Sequence, residues 1–512
     1  MTDTPSVIYV NGRFYSAADP RATAMLVRDG KIAWLGARAD APPADRTVDL
    51  ADGLVTPAFV DAHLHATDTG LAADGLDLSG VASAAQLLEA VTAFAATRPA
   101  DAVVHGYKWD ETLWPEQTPP TAEELEKAAG GRRVYLSQAS VHSALVSTSL
   151  LGAAQGVPGY ASTGWVREQA HHAVRALALG ALTPAQRTAA QRAALSQAAS
   201  MGIAAVHECG GPGTSSETDF ASVLALSGTG LPQVFGYWGE LGAAEKARDL
   251  GAAGAAGDLY ADGALGSRTA SLRHPYADGD GGTGEAFVSA EQAAEHLLDC
   301  MRAGVQGGFH AIGDAAIETV LEGFAIAARQ AGVETLRQAR HRIEHVELID
   351  KAMIARMVEF GVVASVQPVF DALWGGAGRM YEQRLGLERS MASNPIGTMH
   401  ATGVHLAFGS DSPVTSLDPW AVVLAAAAPR NPRHRMNVRA AFAASTRGGW
   451  RAAGVDDAGV LAPGASASFA VWDTPAGVRD GLPVLLPDVD GAEPARPVCR
   501  RTVLHGATIF EG

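Results

Sequence analysis

Eight short strand candidates recur through the middle of the chain, near residues 55–60, 203–207, 233–237, 259–261, 305–310, 341–345, 362–366 and 405–408. Helix-like stretches, such as 291–303 and 316–331, lie between most of them. Strands that alternate with helices imply a parallel sheet, because a crossover is needed to bring the chain back for the next parallel strand. Eight such units predict an α/β fold, a closed (β/α)8 TIM-like barrel. The competing open, doubly wound sheet lacks its usual mark, since no Gly-x-Gly-x-x-Gly follows an early strand. With 512 residues, 47% of them hydrophobic and 18% charged, the chain can fill so large a core.

The two ends have a different texture. Val7-Ile8-Tyr9-Val10 stops at Asn11-Gly12, and Ala24-Met25-Leu26-Val27 stops at Asp29-Gly30 before Lys31 to Gly36. Asn-Gly and Asp-Gly between apolar runs are hairpin signals. Ser468 to Asp473 and Val498 to Phe510 are also strand-like. Residues 1–56 and 458–512 are therefore expected to form one small β-sandwich domain, leaving 57–457 as the barrel. Well over a hundred residues separate the first and second barrel runs, with strand and helix patterns of their own. Residues 67–200 read as an insertion after the first strand, placed to act as a lid and specificity wall over the strands' C-terminal ends.

Charge and cysteine usage narrow the function. Lys and Arg total 39 against 55 Asp and Glu, a net charge of −16, which argues against nucleic-acid and anionic-membrane partners. No apolar run approaches the ~20 residues of a membrane span. Cys209, Cys300 and Cys499 are odd in number and widely spaced, so neither a thiolate metal site nor a disulfide framework is suggested. A reducing, cytoplasmic setting is expected, and the N-terminus carries no signal-peptide pattern.

Polar residues capable of holding a metal stand where the apolar runs end. Val60-Asp61-Ala62-His63-Leu64-His65 places two histidines two apart, which on a strand puts both on one face. His310, His345 and Asp411 end later runs, and Asp258 and Asp262 flank Leu259-Tyr260-Ala261. Alone, each has a structural alternative: Asp411 a turn or helix cap, Asp262 the turn at Gly263. Together at one rim, they predict a metal site, imidazole being a common zinc donor.

The chain resembles the amidohydrolase superfamily, most closely its third amidohydrolase group, which carries the YtcJ-like label and includes relatives of N-substituted formamide deformylases. The stretches that carry the resemblance are Thr56 to His65, Ala261 to Ala270, His310 to Asp314, His341 to His345, Ser365 to Pro368 and Gly409 to Pro413. The resemblance implies that His63, His65, His310 and His345 bind zinc and that Asp411 contacts the metal-bound water as general base, then as acid. Many relatives carry a lysine, able when carbamylated to bridge two metals, where this chain has Asp258. The shorter side chain favours one zinc over two and leaves open whether Asp258 ligates.

His142, in Val141-His142-Ser143-Ala144, is similar to a His-Ser-Ala stretch of the group and is expected to line the pocket and serve catalysis. For substrate contacts, Arg268 is a carboxylate clamp or a structural ion pair, and Asp262, Glu208, Gln367 and Trp374 are further candidates. Asp61, Glu344 and Asp314 are candidate acceptors for ligand imidazoles. The function expected is hydrolysis of a C–N bond in a small N-substituted amide. The alternatives are ester, lactone or cyclic-amide hydrolysis, isomerisation or decarboxylation on the same metal barrel, and a non-catalytic binding protein. The resemblance also implies a homodimer.

Overall fold

The computed structural model describes residues 5–111, 114–116, 118–138, 143–279, 281–487 and 493–512. The chain divides into two compact units. One holds the residues up to Leu64, Leu195–Asp411 and those from Thr415 on; the other holds His65–Ala194 and Ser412–Val414.

The first unit is built on eight strands: β1 (Phe59–Leu64), β2 (Ile203–Gly210), β3 (Gln233–Trp238), β4 (Gly254–Ala255), β5 (Gln306–Ala311), β6 (Arg342–His345), β7 (Val363–Val366) and β8 (His405–Phe408). They lie side by side in chain order, every pair parallel. Helices such as Ala290–Ala303 and Asp314–Ala331 form the crossovers. Ser289 caps the first of these with a reciprocal Gln292 contact, and Gly304 ends it in the left-handed region, where glycine carries no Cβ penalty. The sheet turns back on itself. Asp411 N–H, just past β8, donates to the His63 carbonyl of β1 at 2.8 Å, and Ser365 Oγ of β7 reaches the Ala62 carbonyl at 3.2 Å. This is the TIM-like barrel.

Two strand expectations need correction. The run at 55–60 is two strands in two sheets: Leu54–Pro57 pairs antiparallel with Phe469–Asp473, and the barrel strand starts at Phe59. Pro57 has no N–H to donate, so a ladder that passes it loses a bond, and the chain changes sheets there. The fourth strand is Gly254–Ala255 rather than 259–261. Gly257 has φ +74°, a conformation that breaks an extended run, and its Cα approaches Cys209 so closely that a Cβ would lie 3.1 Å from Sγ. Asp258 therefore sits in the loop after β4. The chain touches the ladder again only at Tyr260, bridged to His310.

The termini form two more sheets in this unit. One runs Lys31–Gly36, Ala24–Arg28, Val7–Val10, Arg46–Asp49; the other runs Arg13–Phe14, Leu54–Pro57, Phe469–Asp473, Val498–Leu504, Ala507–Glu511. Asp29 and Gly30 both have positive φ, as a two-residue hairpin turn requires. Tyr9, Met25, Ile32, Val55, Phe469 and Val503 fill one shared core between the sheets.

The second unit has a mixed five-stranded sheet, ordered Trp165–Arg167, Ser143–Val146, Val134–Gln138, Val104–Trp109, Leu76–Asp77, with helices such as Ala84–Ala96 and Glu168–Gly180. Leu87, Val91, Val104, Leu136 and Leu145 are buried in one of its cores. Among the described residues, no helix is long and apolar enough to cross a membrane.

Candidate metal centre

Four strand ends and one loop deliver the polar side chains. His63 stands near the end of β1, His310 near the end of β5 and His345 at the end of β6; Asp411 follows β8 and Asp258 follows β4. All five are buried. Asp258 Oδ1 lies 3.4 Å from His63 Nε2, 3.7 Å from His310 Nδ1 and 3.9 Å from His345 Nε2. Asp411 Oδ1 lies 3.6 Å from His63 Nε2. Four donors at about 2.0–2.1 Å around one zinc ion are roughly 3.3–3.4 Å apart in a tetrahedron. Asp258 stands at that distance from His63 and a few tenths of an ångström farther from the other two imidazoles, and its oxygen, a His63 nitrogen and a His345 nitrogen all lie within 4.8 Å of one another, a group that could hold an ion.

The far side of each ring supports the same reading. His63 Nδ1 lies 3.0 Å from Glu344 Oε2, an atom that only accepts, so Nδ1 carries the proton and Nε2 turns its lone pair to the centre. Gln367 Oε1 accepts from His345 Nδ1 at 2.8 Å, and the Gly263 carbonyl accepts from His310 Nε2 at 3.1 Å. That leaves His345 Nε2 and His310 Nδ1 facing Asp258. Among the described residues, no hydrogen-bond partner meets the buried His310 Nδ1. A second contact that fixes tautomer and ring orientation is the usual support of a metal-ligating histidine. The donor set fits a zinc ion.

Glu344 is itself anchored. Arg342 Nε and Nη2 donate to its two oxygens at 2.5 and 3.0 Å, while Nη1 donates to His207 Nδ1 at 2.9 Å and Nη2 to the Ala62 carbonyl at 2.7 Å. Burial pushes the Glu344 carboxyl up, but Arg342 and His63 outweigh it and hold it well below the usual carboxylate range. The Arg342 guanidinium also lies over the Tyr237 ring, 4.1 Å from its centroid. Arg342 and Glu344 alternate with Ile343 on β6, so both point into the barrel; that i, i+2 spacing was a readable signal for a pair the sequence reading used only in part.

The backbone is held tightly here. Asp61 Oδ1 accepts from the His63 and Ser410 N–H groups at 3.2 and 2.9 Å, so Asp61 ties β1 to the Asp411 turn rather than accepting from an imidazole. Asp411 and His345 have φ of 55° and 70°, sparsely populated for non-glycine residues and found where a structure fixes a side chain for use. Gly409 passes so close to β1 that a Cβ would lie 2.5 Å from His63 N.

Several predicted substrate contacts are engaged elsewhere. Arg268 donates to both Asp278 oxygens, at 3.0 and 2.8 Å, so it is the structural ion pair rather than a free clamp. Asp262 accepts from the Ile312, Gly313 and Ser271 N–H groups at 3.0, 2.7 and 2.9 Å; it fixes the loop after β5 instead of offering oxygens to a substrate. Gln367 Oε1 orients His345, and its buried Nε2 meets no hydrogen-bond partner among the described residues. Asp314 accepts from Arg273 N–H at 2.9 Å, away from the imidazoles. Glu208 is buried near the end of β2. Trp374 is half-buried in an aromatic row: Phe370 stacks on His345 with centroids 6.0 Å apart, and Trp374 lies 4.9 Å from Phe370. His65 opens the second unit as the N-terminal flank of the helix Ala66–Asp74, in extended conformation. His142 lies outside the described residues. Cys209, near the end of β2, was missed; its Sγ, a His63 nitrogen and a Glu344 oxygen all lie within 4.8 Å of one another.

Comparison with known proteins agrees with this architecture. YtcJ of Bacillus subtilis, named as an amidohydrolase, is 24% identical over 78% of this chain and 79% of its own. The N-substituted formamide deformylase of Arthrobacter pascens is 24% identical over 82% of this chain and 83% of its own. A crystal structure of an uncharacterized metal-dependent hydrolase from Pyrococcus horikoshii superposes with a TM-score of 0.77 at 23% identity, covering 94% of this chain and 98% of that one, and so shares its fold. The sequence model described as "Amidohydrolase family" matches residues 46–510. The chain belongs to the amidohydrolase family of hydrolases.

Proposed function

We propose that this chain is a zinc-dependent hydrolase that cleaves a C–N bond in a small N-substituted amide. One observation carries the metal reading: three imidazoles turn toward Asp258 Oδ1 while each opposite ring nitrogen donates to an acceptor. His63, His345, His310 and Asp258 are the side chains of the first unit that would hold the ion. Bound there, zinc would polarise the substrate carbonyl and bring the pKa of water to about 7.

The protein's own groups do the rest. Asp411, fixed by its N–H on the His63 carbonyl, takes a proton from the attacking water and returns it to the leaving nitrogen. The buried Asp258 and Glu344 carboxylates offset the ion's charge, and Arg342 keeps Glu344 ionised. The row Phe370–Trp374 offers an apolar wall beside His345 for the acyl or amine group. The preference for an N-substituted amide rests on likeness to the formamide deformylase of Arthrobacter pascens. The spacing of Cys209, Cys300 and Cys499 supports a cytoplasmic setting.

The test is a substrate panel on zinc-loaded protein scored for amine release, with Asp411→Asn beside it. Amine release from N-substituted amides, lost in Asp411→Asn with bound metal retained, is the expected result. A silent amide panel alongside turnover of lactones or esters overturns the amide reading. Near-normal rates in Asp411→Asn remove it as the base.

A further inference from the structure

At the other end of the barrel, where β6, β7 and β8 begin, the first unit has a cleft of about 540 Å3. That volume lies within the range of small-molecule sites. Val363 and His405, the first residues of β7 and β8, form part of its floor, and the π-helical turn Ala444–Gly448 forms a side. The turn is pressed onto β8: a Cβ on Gly448 would lie 2.3 Å from the Leu406 carbonyl oxygen. Single π turns inside helices recur at functional sites.

The charge of this cleft opposes that of the molecule. Arg337, Arg340, Arg447 and Arg451 line it against one carboxylate, Glu334, in a chain of net charge −16. Three of the four guanidiniums are engaged, Arg451 more loosely than the other two. Arg340 donates to the two Asp456 oxygens at 3.1 and 2.6 Å, and Arg337 donates to the Val358 and Glu359 carbonyls at 2.9 Å each. Arg451 Nε forms a looser ion pair with Asp456 Oδ1 at 3.6 Å, longer than a hydrogen bond. Among the described residues, no hydrogen bond or ion pair engages the Arg447 guanidinium. Arg447 and Arg451 are four residues apart on one continuous helical segment and so share a face. His405 reports the field: burial first, then the charges of Arg451, Arg340 and Arg337, holds its imidazole below the ordinary range. Beside the arginines, Ala440, Ala443 and Ala444 of the same helical run and Leu406 of β8 make an apolar wall.

We propose that this cleft binds a phosphate monoester with a compact apolar body, Arg447 and Arg451 holding the phosphate and the alanine wall the body. Guanidinium forks match phosphate oxygens in pairs, and two of them in an already positive cleft suit a dianion better than a carboxylate. The site is separate from the metal centre by the length of a four-residue strand, about 13 Å.

Phenyl phosphate, inorganic phosphate and benzoate are titrated calorimetrically into zinc-loaded protein at fixed ionic strength. Phenyl phosphate is expected to bind more tightly than either of the others. Arg447→Gln and Arg451→Gln are each expected to weaken it about tenfold or more, the worth of a charge-assisted hydrogen bond. Both side chains are surface-exposed, and unchanged thermal melting of the variants is the check that they fold. Phenyl phosphate binding retained in the double variant would belong elsewhere, including the metal centre, and overturns the proposal. Benzoate or inorganic phosphate binding as tightly as phenyl phosphate overturns it as well.

Discussion

Replacing Glu344 by Gln tests whether the metal centre is supported from behind as the geometry indicates. The side chain accepts three contacts, from Arg342 Nε, Arg342 Nη2 and His63 Nδ1, at 2.5, 3.0 and 3.0 Å, and all three residues are fully buried. Glutamine has nearly the same shape but one acceptor oxygen and two donor hydrogens. Whichever way the amide turns, an N–H group faces either the guanidinium or the imidazole N–H. Breaking one partner of a buried ion pair costs about 3–5 kcal/mol, because the remaining charge stays out of water. Against a typical stability of about 5–15 kcal/mol, the variant should still fold. His63 would also lose the acceptor that fixes its tautomer, and such losses lower metal affinity by about 10–100-fold. Urea denaturation of the metal-free protein reads the first effect, and zinc competition against a chelator reads the second. A fall in stability with unchanged zinc affinity would refute the link between Glu344 and the metal. No change in either would refute the ion pair.

Three further outcomes are expected. Gly409→Ala sets a methyl 2.5 Å from His63 N and 2.9 Å from His63 Cβ, so it should cost roughly 1–3 kcal/mol and reduce zinc binding, read by thermal melting and metal analysis; unaltered zinc content would show that His63 is not displaced. Metal analysis of the wild type should find about one zinc per chain, with Asp258→Asn lowering it; two tightly held ions would reverse that reading. His341, buried and accepting from Gly307 N–H at 2.7 Å, is held by burial at about 3 against an ordinary 6.5. Below 6.5 the unfolded chain takes up a proton that the folded chain refuses, so this stability is present above 6.5 and is lost as the pH falls toward 3. The slope is up to about 1.4 kcal/mol per pH unit. His341→Asn should flatten it in urea midpoints measured between pH 6.5 and 5, and a retained wild-type slope would show that other groups carry it.

The barrel was legible because most of its strands, buried on both faces, read as apolar runs, β6 with Arg342, Glu344 and His345 being the exception, and because a metal-competent residue ends so many of them. Boundaries failed where backbone chemistry overrides hydropathy. Pro57 divides a run that is apolar but for Thr56, and Gly257 breaks one whose side chains would tolerate a strand. Roles failed where a polar residue could serve backbone or substrate equally well by its spacing. Asp262 and Arg268 lie at the expected rim, yet three N–H groups and Asp278 claim them. Only the path of the loops after β4 and β5 decides this. Gln367 was placed at the right strand end, but its partner across β6 and β7 depends on register, which one sequence does not display.

Asp258 shows how a departure from a family pattern can be absorbed by the backbone. A carboxylate on a short stem cannot span the reach of a carbamylated lysine from the same point on a strand. Here β4 stops at Ala255, and the loop led by Gly257 carries Asp258 inward. One of its oxygens then faces imidazoles from β1, β5 and β6 at 3.4, 3.7 and 3.9 Å. The rings crowd one another as well, with centroids 4.4 Å apart for His310 and His345 and 5.0 Å for His63 and His345. Two-metal sites hold their ions about 3.5–4 Å apart and need a ligand that spans them. Three rings gathered about a single carboxylate oxygen are the observation on which the expectation of one ion rests, which is why the metal count is the measurement that weighs most on how this centre works.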